Sequence, residues 1–211
     1  MALNLEEQEK IDELKAWWKE HGGRILSILV AVAVGFAGWV AFRTYSESQT
    51  MQASVLYDSL AKAAQANDAK ALRDASGTLV ESYPGTAYAS MGALLAARYY
   101  FDRNDLKNAK AQLQWVIEGG ESEDFKHLAR LRLASVLLDE KAYDEALRVL
   151  EADPPAASYE AQYAALRGDV LVAKNQAAEA KAAYKLALEK ADKQNGPFQE
   201  SLRMRLEALG G

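Results

Sequence analysis

The sequence lacks cysteine, and it has only two histidines and four prolines among its 211 residues. Without cysteine the chain can form neither a disulfide framework nor a thiolate zinc site, and it has no cysteine nucleophile and no lipidated N-terminal cysteine. Two histidines leave few ligands for a transition metal, so we expect no metal and no other cofactor. Because the prolines stand only at positions 84, 154, 155 and 197, long stretches between them are free to form helices.

Common catalytic motifs are also missing. The sequence contains no G-x-S-x-G, no phosphate-binding G-x-x-x-x-G-K-[ST] and no H-E-x-x-H motif. We interpret His127 as a solvated or capping residue, and the acidic pairs Asp139-Glu140 and Asp144-Glu145 as solvated charges near helix ends. The 30 acidic against 25 basic residues give a net charge of −5, which argues against nucleic acid as a partner. The sequence therefore favours a protein that is not an enzyme.

An uncharged apolar segment covers residues 25–42, between Arg24 and Arg43. A helix of this length would span about 27 Å, close to the roughly 30 Å hydrocarbon core of a bilayer. Because the segment is apolar on all sides, we predict a transmembrane helix over residues 25–45 rather than a buried helix of a soluble domain. Aromatic residues typical of membrane interfaces flank it: Trp17, Trp18, Trp39 and Tyr45.

The distribution of basic residues predicts how the chain crosses the bilayer. Four basic residues precede the apolar segment, and only Arg43 and Lys62 follow it within twenty residues. This bias predicts a cytoplasmic N-terminus and a C-terminal domain on the far side of the membrane. A cleaved signal peptide is the alternative, but residues 1–24 are too long and too acidic for its leader, and no small-x-small cleavage site follows.

Residues 1–24 have an amphipathic pattern, with Ile11, Leu14 and Trp18 on one helical face. We predict a helix that ends at a C-cap or hinge formed by Gly22 and Gly23. It would be either a juxtamembrane helix at the lipid headgroups or a docking segment for a cytoplasmic partner. Within the apolar segment, Ala31 and Gly35 place small residues on one face, where a partner helix could pack closely.

Residues 46–211 have helical apolar spacing with short connections, which predicts an all-α domain of antiparallel helix pairs. Ala109, Ala146 and Ala180 are 37 and 34 residues apart, near the 34-residue tetratricopeptide period. A small residue lies twelve positions before each of them: Ala97, Ala134 and Gly168. We predict degenerate repeats near 53–83, 86–118, 124–151 and 158–191 and a terminal helix over 198–209. The first pair lacks the signature and would cap the array; a generic alanine-rich bundle is the alternative.

These segments together resemble the YfgM family. The resemblance starts with an acidic leader that carries Trp17-Trp18 and Lys19-Glu20-His21-Gly22, followed by one membrane helix with Gly38-Trp39 near its end. It continues into the degenerate repeats through Ala53-Ser54-x-x-Tyr57, Asn104-Asp105-Leu106, Leu131-Arg132-Leu133-Ala134 and Leu166-Arg167-Gly168-Asp169. The resemblance rests on the order of the segments rather than on any one motif.

The resemblance implies a single-pass protein of the bacterial inner membrane, with its N-terminus in the cytoplasm and a tetratricopeptide-like domain in the periplasm. It implies a non-enzymatic ancillary subunit of the SecYEG translocon. The implied partners are the translocon, exported unfolded proteins, the lipid bilayer and a membrane-anchored periplasmic prolyl-isomerase-like chaperone (PpiD-type). The implied role is to help exported proteins pass from the channel to periplasmic chaperones.

The helix phase of such arrays gives a candidate groove. In tetratricopeptide arrays, the concave face is lined by the first helix of each pair, three positions before and one after the small residue. Adding the positions one turn further gives Leu94, Arg98, Phe101, Leu131, Ser135, Leu138, Ala165, Asp169 and Val172. This groove would suit an amphipathic or partly unfolded segment. Alternatively, the terminal helix fills it through Phe198, Leu202, Leu206 and Leu209.

Other functions remain open from the sequence. The repeats could form a membrane-anchored adaptor for another envelope complex, or a scaffold that faces the cytoplasm. A hydrolase or transferase built on a helical-repeat scaffold would need carboxylates that converge in a pocket, and the sequence shows no such cluster.

Overall fold

The computed structural model describes the backbone of residues 5–192 and 194–210, and the side chains of these ranges from residue 7 onward. All regular secondary structure in these ranges is α-helical, as predicted. Contacts divide the chain into a first unit that ends at Gln49 and a second that begins at Thr50. The helices are α1 (Leu5–Gln65), α2 (Ala69–Ser82), α3 (Ala87–Phe101), α4 (Leu106–Gly119), α5 (Glu123–Asp139), α6 (Tyr143–Glu151), α7 (Glu160–Ala173), α8 (Ala177–Lys190) and α9 (Gly196–Ala208).

The first helix is much longer than predicted. α1 continues through Gly22 and Gly23, so the expected C-cap or hinge at this glycine pair is wrong. A glycine inside a helix costs only about 1 kcal/mol relative to alanine, which is too little to end a helix that continues on both sides. The first proline of the chain, Pro84, comes only after α1. By length and composition, α1 contains a segment able to cross a membrane, and none of that segment is buried in the protein.

The second unit repeats one type of turn. The turns that follow α1, α3, α5 and α7 each contain a residue with positive φ: Asn67, Asn104, Lys141 and Asn175, all between 58° and 61°. In each turn the next residue's N–H donates to the carbonyl five residues earlier, as Asp105 donates to Tyr100 O at 2.9 Å. This is the Schellman arrangement, in which a left-handed residue ends a helix and satisfies its last carbonyls.

The helices of each pair approach closely at the predicted small residues. Ala97, Ala134, Ala109, Ala146, Ala180 and Gly168 are all buried. At Gly168 an added Cβ would lie only 2.4 Å from the Tyr184 ring of α8, which shows how closely these two helices pack. The prediction of tetratricopeptide-like pairs is therefore confirmed.

The first pair follows the same pattern with larger side chains. The residues that correspond to the two small positions are Leu60 and Leu72, and both are fully buried. They share a core cluster with Leu79 of α2 and with Tyr99 and Tyr100 of α3. Because leucines replace the small residues, the sequence signature is lost here although the left-handed turn at Asn67 is kept.

Candidate partner-binding cleft

The first helices of the last three pairs line one cleft in the second unit. It has a volume of about 620 Å³ and lies between α3, α5 and α7, with α9 contributing to its wall. Its lining residues are Ala97, Arg98, Phe101, Leu113, Leu131, Arg132, Ser135, Val136, Gln162, Ala165, Leu166, Asp169, Phe198 and Arg205. The lining is therefore mixed, with apolar side chains beside three arginines.

The structure brings six of the nine predicted groove residues together in this cleft: Arg98, Phe101, Leu131, Ser135, Ala165 and Asp169. The other three are not among the lining residues. Leu94 is buried in the core with Leu113 and Leu133. Leu138 is half-buried against the same core, and Val172 is exposed outside the cleft.

Several lining residues were not predicted, among them Arg132 and Leu166. Each lies two positions before the small residue of its helix, whereas the prediction used the positions three before and one after. Arg132 and Ser135 are three residues apart, so they share one helix face. Helix geometry could therefore have identified this additional row from the sequence.

α9 packs onto the last pair instead of filling the cleft. Leu202 is fully buried in a cluster with residues of α7 and α8, and Phe198, Leu206 and Leu209 pack against that cluster. Phe198 and Arg205 of the same helix line the cleft. The terminal helix thus forms a wall of the cleft and leaves it open.

A polar network at Asp169 joins α7, α8 and α9. Tyr184 Oη donates to Asp169 Oδ1 at 2.7 Å, and Arg205 Nη1 donates to both carboxylate oxygens at 2.8 and 2.9 Å. Burial and the neighbouring Asp169 carboxylate raise the pKa of Tyr184 above its ordinary value, so the hydroxyl stays protonated as a donor. The predicted groove residue Asp169 is therefore engaged within the protein, where it fixes α9.

The two arginines on α3 and α5 have different surroundings. Arg98 Nε donates to Asp102 Oδ2 at 2.9 Å on the exposed surface of α3. Arg132 Nη1 donates only to the Leu94 carbonyl, at 3.4 Å, and no carboxylate of the described residues lies within ion-pair distance of it. Although the Arg132 side chain is exposed at the cleft, partial desolvation and the nearby Arg98 charge lower its pKa.

His127 is not solvated, so the prediction of a solvated or capping residue is wrong. Its side chain is buried, with Nδ1 3.1 Å from Tyr163 Oη, and Nε2 accepts a hydrogen bond from the Ala156 N–H at 3.3 Å. Because Nε2 accepts, the neutral ring carries its proton on Nδ1 and donates it to Tyr163. His127 therefore holds residues 152–159, the connection between α6 and α7, against α5.

Within residues 5–192 and 194–210, no group of three or more His, Cys, Asp or Glu side chains is arranged to hold a metal ion. In the cleft, the lining contains one carboxylate among the described residues, Asp169.

Comparisons with known proteins agree with this architecture. A family profile described as a tetratricopeptide repeat-like domain matches residues 15–211. A protein of Neisseria gonorrhoeae named "Ancillary SecYEG translocon subunit" is 32% identical over 99% of this chain and 100% of its own length. The chain belongs to the family of ancillary SecYEG translocon subunits. The resemblance to the YfgM family is therefore confirmed.

Two further relatives of the same name show how far the likeness extends. The Haemophilus influenzae protein is 30% identical over 99% of this chain and its full length. The Escherichia coli K12 protein is 26% identical over 87% of this chain and 88% of its own length. The Neisseria gonorrhoeae and Haemophilus influenzae alignments each cover 99% of the chain, and membership in this family together with the candidate membrane helix indicates a membrane-anchored protein.

Proposed function

We propose that this chain is a non-enzymatic subunit of the SecYEG translocon that links exported proteins to periplasmic chaperones. In this proposal the segment 25–45 anchors the chain in the inner membrane, residues 1–24 lie in the cytoplasm, and the repeats of 46–211 lie in the periplasm. The cleft binds segments of exported unfolded proteins or of a membrane-anchored prolyl-isomerase-like chaperone (PpiD-type).

The observation that carries this proposal is the cleft. It is built from the first helices of three successive pairs, it is open, and apolar side chains such as Phe101, Leu131 and Leu166 line it. An exposed apolar groove of this kind is a typical docking site for an amphipathic or extended segment of another protein. The name of the relatives, ancillary SecYEG translocon subunit, supports the translocon as the complex in which the cleft meets such a segment.

The polar groups of the cleft also support a binding role rather than catalysis. General acid–base chemistry needs a titratable group that is free to reach a substrate. The carboxylate of Asp169 is held by Arg205 and Tyr184 on three hydrogen bonds. Outside the cleft lining, the buried imidazole of His127 is likewise engaged on both nitrogens.

For the membrane segment, we propose that the face with Ala31 and Gly35 packs against a helix of the channel. Apart from the backbone of its own helix and its two chain neighbours, no heavy atom of the described residues lies within 4 Å of a Cβ built at Gly35, so this position has room for a close neighbour. Small residues let helix backbones approach closely within lipid, where packing drives association.

Site-specific photocrosslinking in intact cells tests the cleft. A photoreactive amino acid at Ser135, which is exposed in the cleft, is expected to give adducts with exported proteins or envelope chaperones. The matched control is the same amino acid at Lys185, an exposed residue of α8 outside the cleft lining. Equal adduct patterns at the two positions would contradict a binding role of the cleft.

Affinity purification from detergent-solubilised membranes tests the contact with the channel. Ala31→Leu is expected to reduce the recovery of the channel subunits, because the larger side chain separates the two helix backbones. Ala33→Leu is the control, since residue 33 lies about 200° from residue 35 around the helix. If the wild-type chain does not recover channel subunits, association with SecYEG is refuted.

A fusion of alkaline phosphatase to the C-terminus tests the orientation. The enzyme is active only after export, so the proposal predicts an active fusion. If the fusion protein is stable and membrane-bound but has no phosphatase activity, the repeats face the cytoplasm, and the chain is then a cytoplasmic scaffold.

A further inference from the structure

The cleft is a basic region of an acidic protein. The chain as a whole has a net charge of −5, yet three arginines and one carboxylate line the cleft. Asp169 is paired with Arg205 and Asp102 is paired with Arg98, so Arg132 is the cleft arginine whose charge an occupant meets without a compensating carboxylate of the described residues.

Arg132 is the one of these three arginines that lacks a carboxylate partner among the described residues. Its guanidinium makes a single long hydrogen bond to the Leu94 carbonyl, at 3.4 Å. Partial burial, and then the charge of Arg98, lower the pKa of Arg132, in keeping with a guanidinium that no carboxylate of the described residues compensates. An added carboxylate would supply charge-assisted hydrogen bonds that the protein itself does not make.

The walls next to this cation are apolar. Phe101 and Leu131 lie on the same helices as the two arginines, and Leu166 and Phe198 complete the lining from α7 and α9. A small hydrophilic anion would leave these side chains in water. An occupant that uses both features has a carboxylate flanked by bulky apolar side chains.

We infer that the cleft binds a peptide segment of a partner protein in which an Asp or Glu side chain stands between bulky apolar side chains, with its carboxylate on Arg132 and Arg98. This inference rests on the proposed binding function of the cleft and adds the chemical identity of the segment. Arg132 supplies the unpaired guanidinium, and Arg98, which is also paired with Asp102, adds a weaker attraction beside it.

The test is a peptide selection with the full chain in lipid nanodiscs. A displayed library of random short peptides is enriched on this chain after counterselection on empty nanodiscs. The most enriched peptide is then synthesised with both ends blocked, together with its Glu→Gln or Asp→Asn analogue, and binding is measured by fluorescence anisotropy. The variants are Arg132→Met, Arg98→Met and, as the control outside the cleft, Arg73→Met, an exposed arginine of α2.

We expect enriched peptides to contain Asp or Glu next to Leu, Ile or Phe. Neutralising that acidic residue, or changing Arg132→Met, should each weaken binding about tenfold. Arg98→Met should weaken it less, and Arg73→Met should leave it unchanged. In the Arg132→Met chain, the acidic peptide should keep only the small advantage over the neutral peptide that Arg98 supplies, whereas a merely structural role of Arg132 would leave the full difference between the two peptides.

Three results would overturn the inference. Apolar peptides enriched without acidic residues would refute the charge preference while leaving the proposed cleft function intact. Binding that requires a free C-terminal carboxylate, and not the internal acidic residue, would assign a different ligand. If no peptide is enriched above empty nanodiscs, both the inference and the binding function of the cleft fail.

Discussion

Replacing Gly168 by alanine should destabilise the second unit, although alanine is the better helix former. A Cβ at Gly168 would lie 2.4 Å from Cε1 and 2.5 Å from Cδ1 of the Tyr184 ring. Such contacts are too short for real atoms, so α7 and α8 would have to separate or the ring would have to move. Tyr184 is buried and its hydroxyl is bound to Asp169, which Arg205 also holds, so moving the ring disturbs the whole network.

The change in the free energy of unfolding caused by Gly168→Ala is the sum of two opposing effects. Overpacking a core costs roughly 1–3 kcal/mol, whereas replacing a glycine inside a helix by alanine gains about 1 kcal/mol. For Gly168→Ala, the free energy of unfolding should therefore fall by about 0–2 kcal/mol. Gly77 in α2 is the matched control, because a Cβ built there would meet no heavy atom of the described residues within 4 Å apart from its chain neighbours and the backbone of its own helix. Gly77→Ala should raise the free energy of unfolding by up to about 1 kcal/mol.

The assay is urea unfolding of the full chain in mild detergent, followed by far-ultraviolet circular dichroism. The two variants should differ by about 1–3 kcal/mol in their free energies of unfolding, with Gly168→Ala the less stable. If Gly168→Ala proves as stable as Gly77→Ala, then α7 and α8 do not approach as closely as described, and the repeat-type packing of this pair is wrong.

Three further substitutions test other parts of the fold. Lys141→Gly should raise the free energy of unfolding by about 1 kcal/mol in urea titrations, because Lys141 has a φ of 61° that favours glycine. Leu202→Ala should lower it by about 2–5 kcal/mol and speed amide exchange in α9, since Leu202 is fully buried. Asp105→Ala should destabilise the chain near neutral pH and progressively less in acid, as shown by unfolding at about pH 7 and about pH 3.

The sign of the pH effect follows from the hydrogen bonds of Asp105. The side chain and the backbone N–H of Asn108 donate to its carboxylate and lower its pKa from the ordinary value of 3.8. The stabilisation is therefore fully present above this ordinary value and is lost as the pH falls through the lower folded-state pKa. A difference between wild type and Asp105→Ala that grows on acidification would contradict this assignment.

For Lys141→Gly and Leu202→Ala, the following outcomes would contradict the predictions. Loss of stability in Lys141→Gly would mean that the left-handed turn between α5 and α6 is not formed. Unchanged exchange in α9 of Leu202→Ala would mean that this helix does not pack on α7 and α8 through Leu202.

Most of the helix pairs could be predicted from the sequence, because their boundaries are encoded locally. Several helices begin at a residue whose side chain caps the first turn: Asp68, Thr86, Asp105, Ser122 and Asn195. Small residues at the helix contacts and apolar side chains at helical spacing then predict which faces pack together.

The features that could not be predicted from the sequence are those that depend on the tertiary surroundings of a residue. A glycine pair is compatible with either a hinge or a continuous helix, so Gly22 and Gly23 could not settle where α1 ends. The first pair lacks the repeat signature because Leu60 and Leu72 stand where the other pairs have small residues, although the left-handed turn at Asn67 is the same. Burial of His127 depends on Tyr163, which is 36 residues away in sequence.

The cleft shows the same division between local pattern and long-range contact. Helix phase alone gave six of its residues, because it depends only on the repeat register. The engagement of Asp169 by Arg205 joins residues 36 positions apart, and no local pattern predicts it. The contribution of α9 to the wall is likewise a tertiary result, since its apolar residues were equally compatible with filling the groove.

The most direct test of the account uses an exported protein stalled within the SecYEG channel and carrying a photoreactive amino acid in its emerged part. We predict an adduct between that protein and this chain, and a strong loss of the adduct in Ser135→Trp, which fills the cleft. Lys185→Trp, outside the cleft, should leave the adduct unchanged. The absence of any adduct with the wild-type chain, or an equal yield in all three chains, would contradict the claim that the cleft receives exported proteins at the channel.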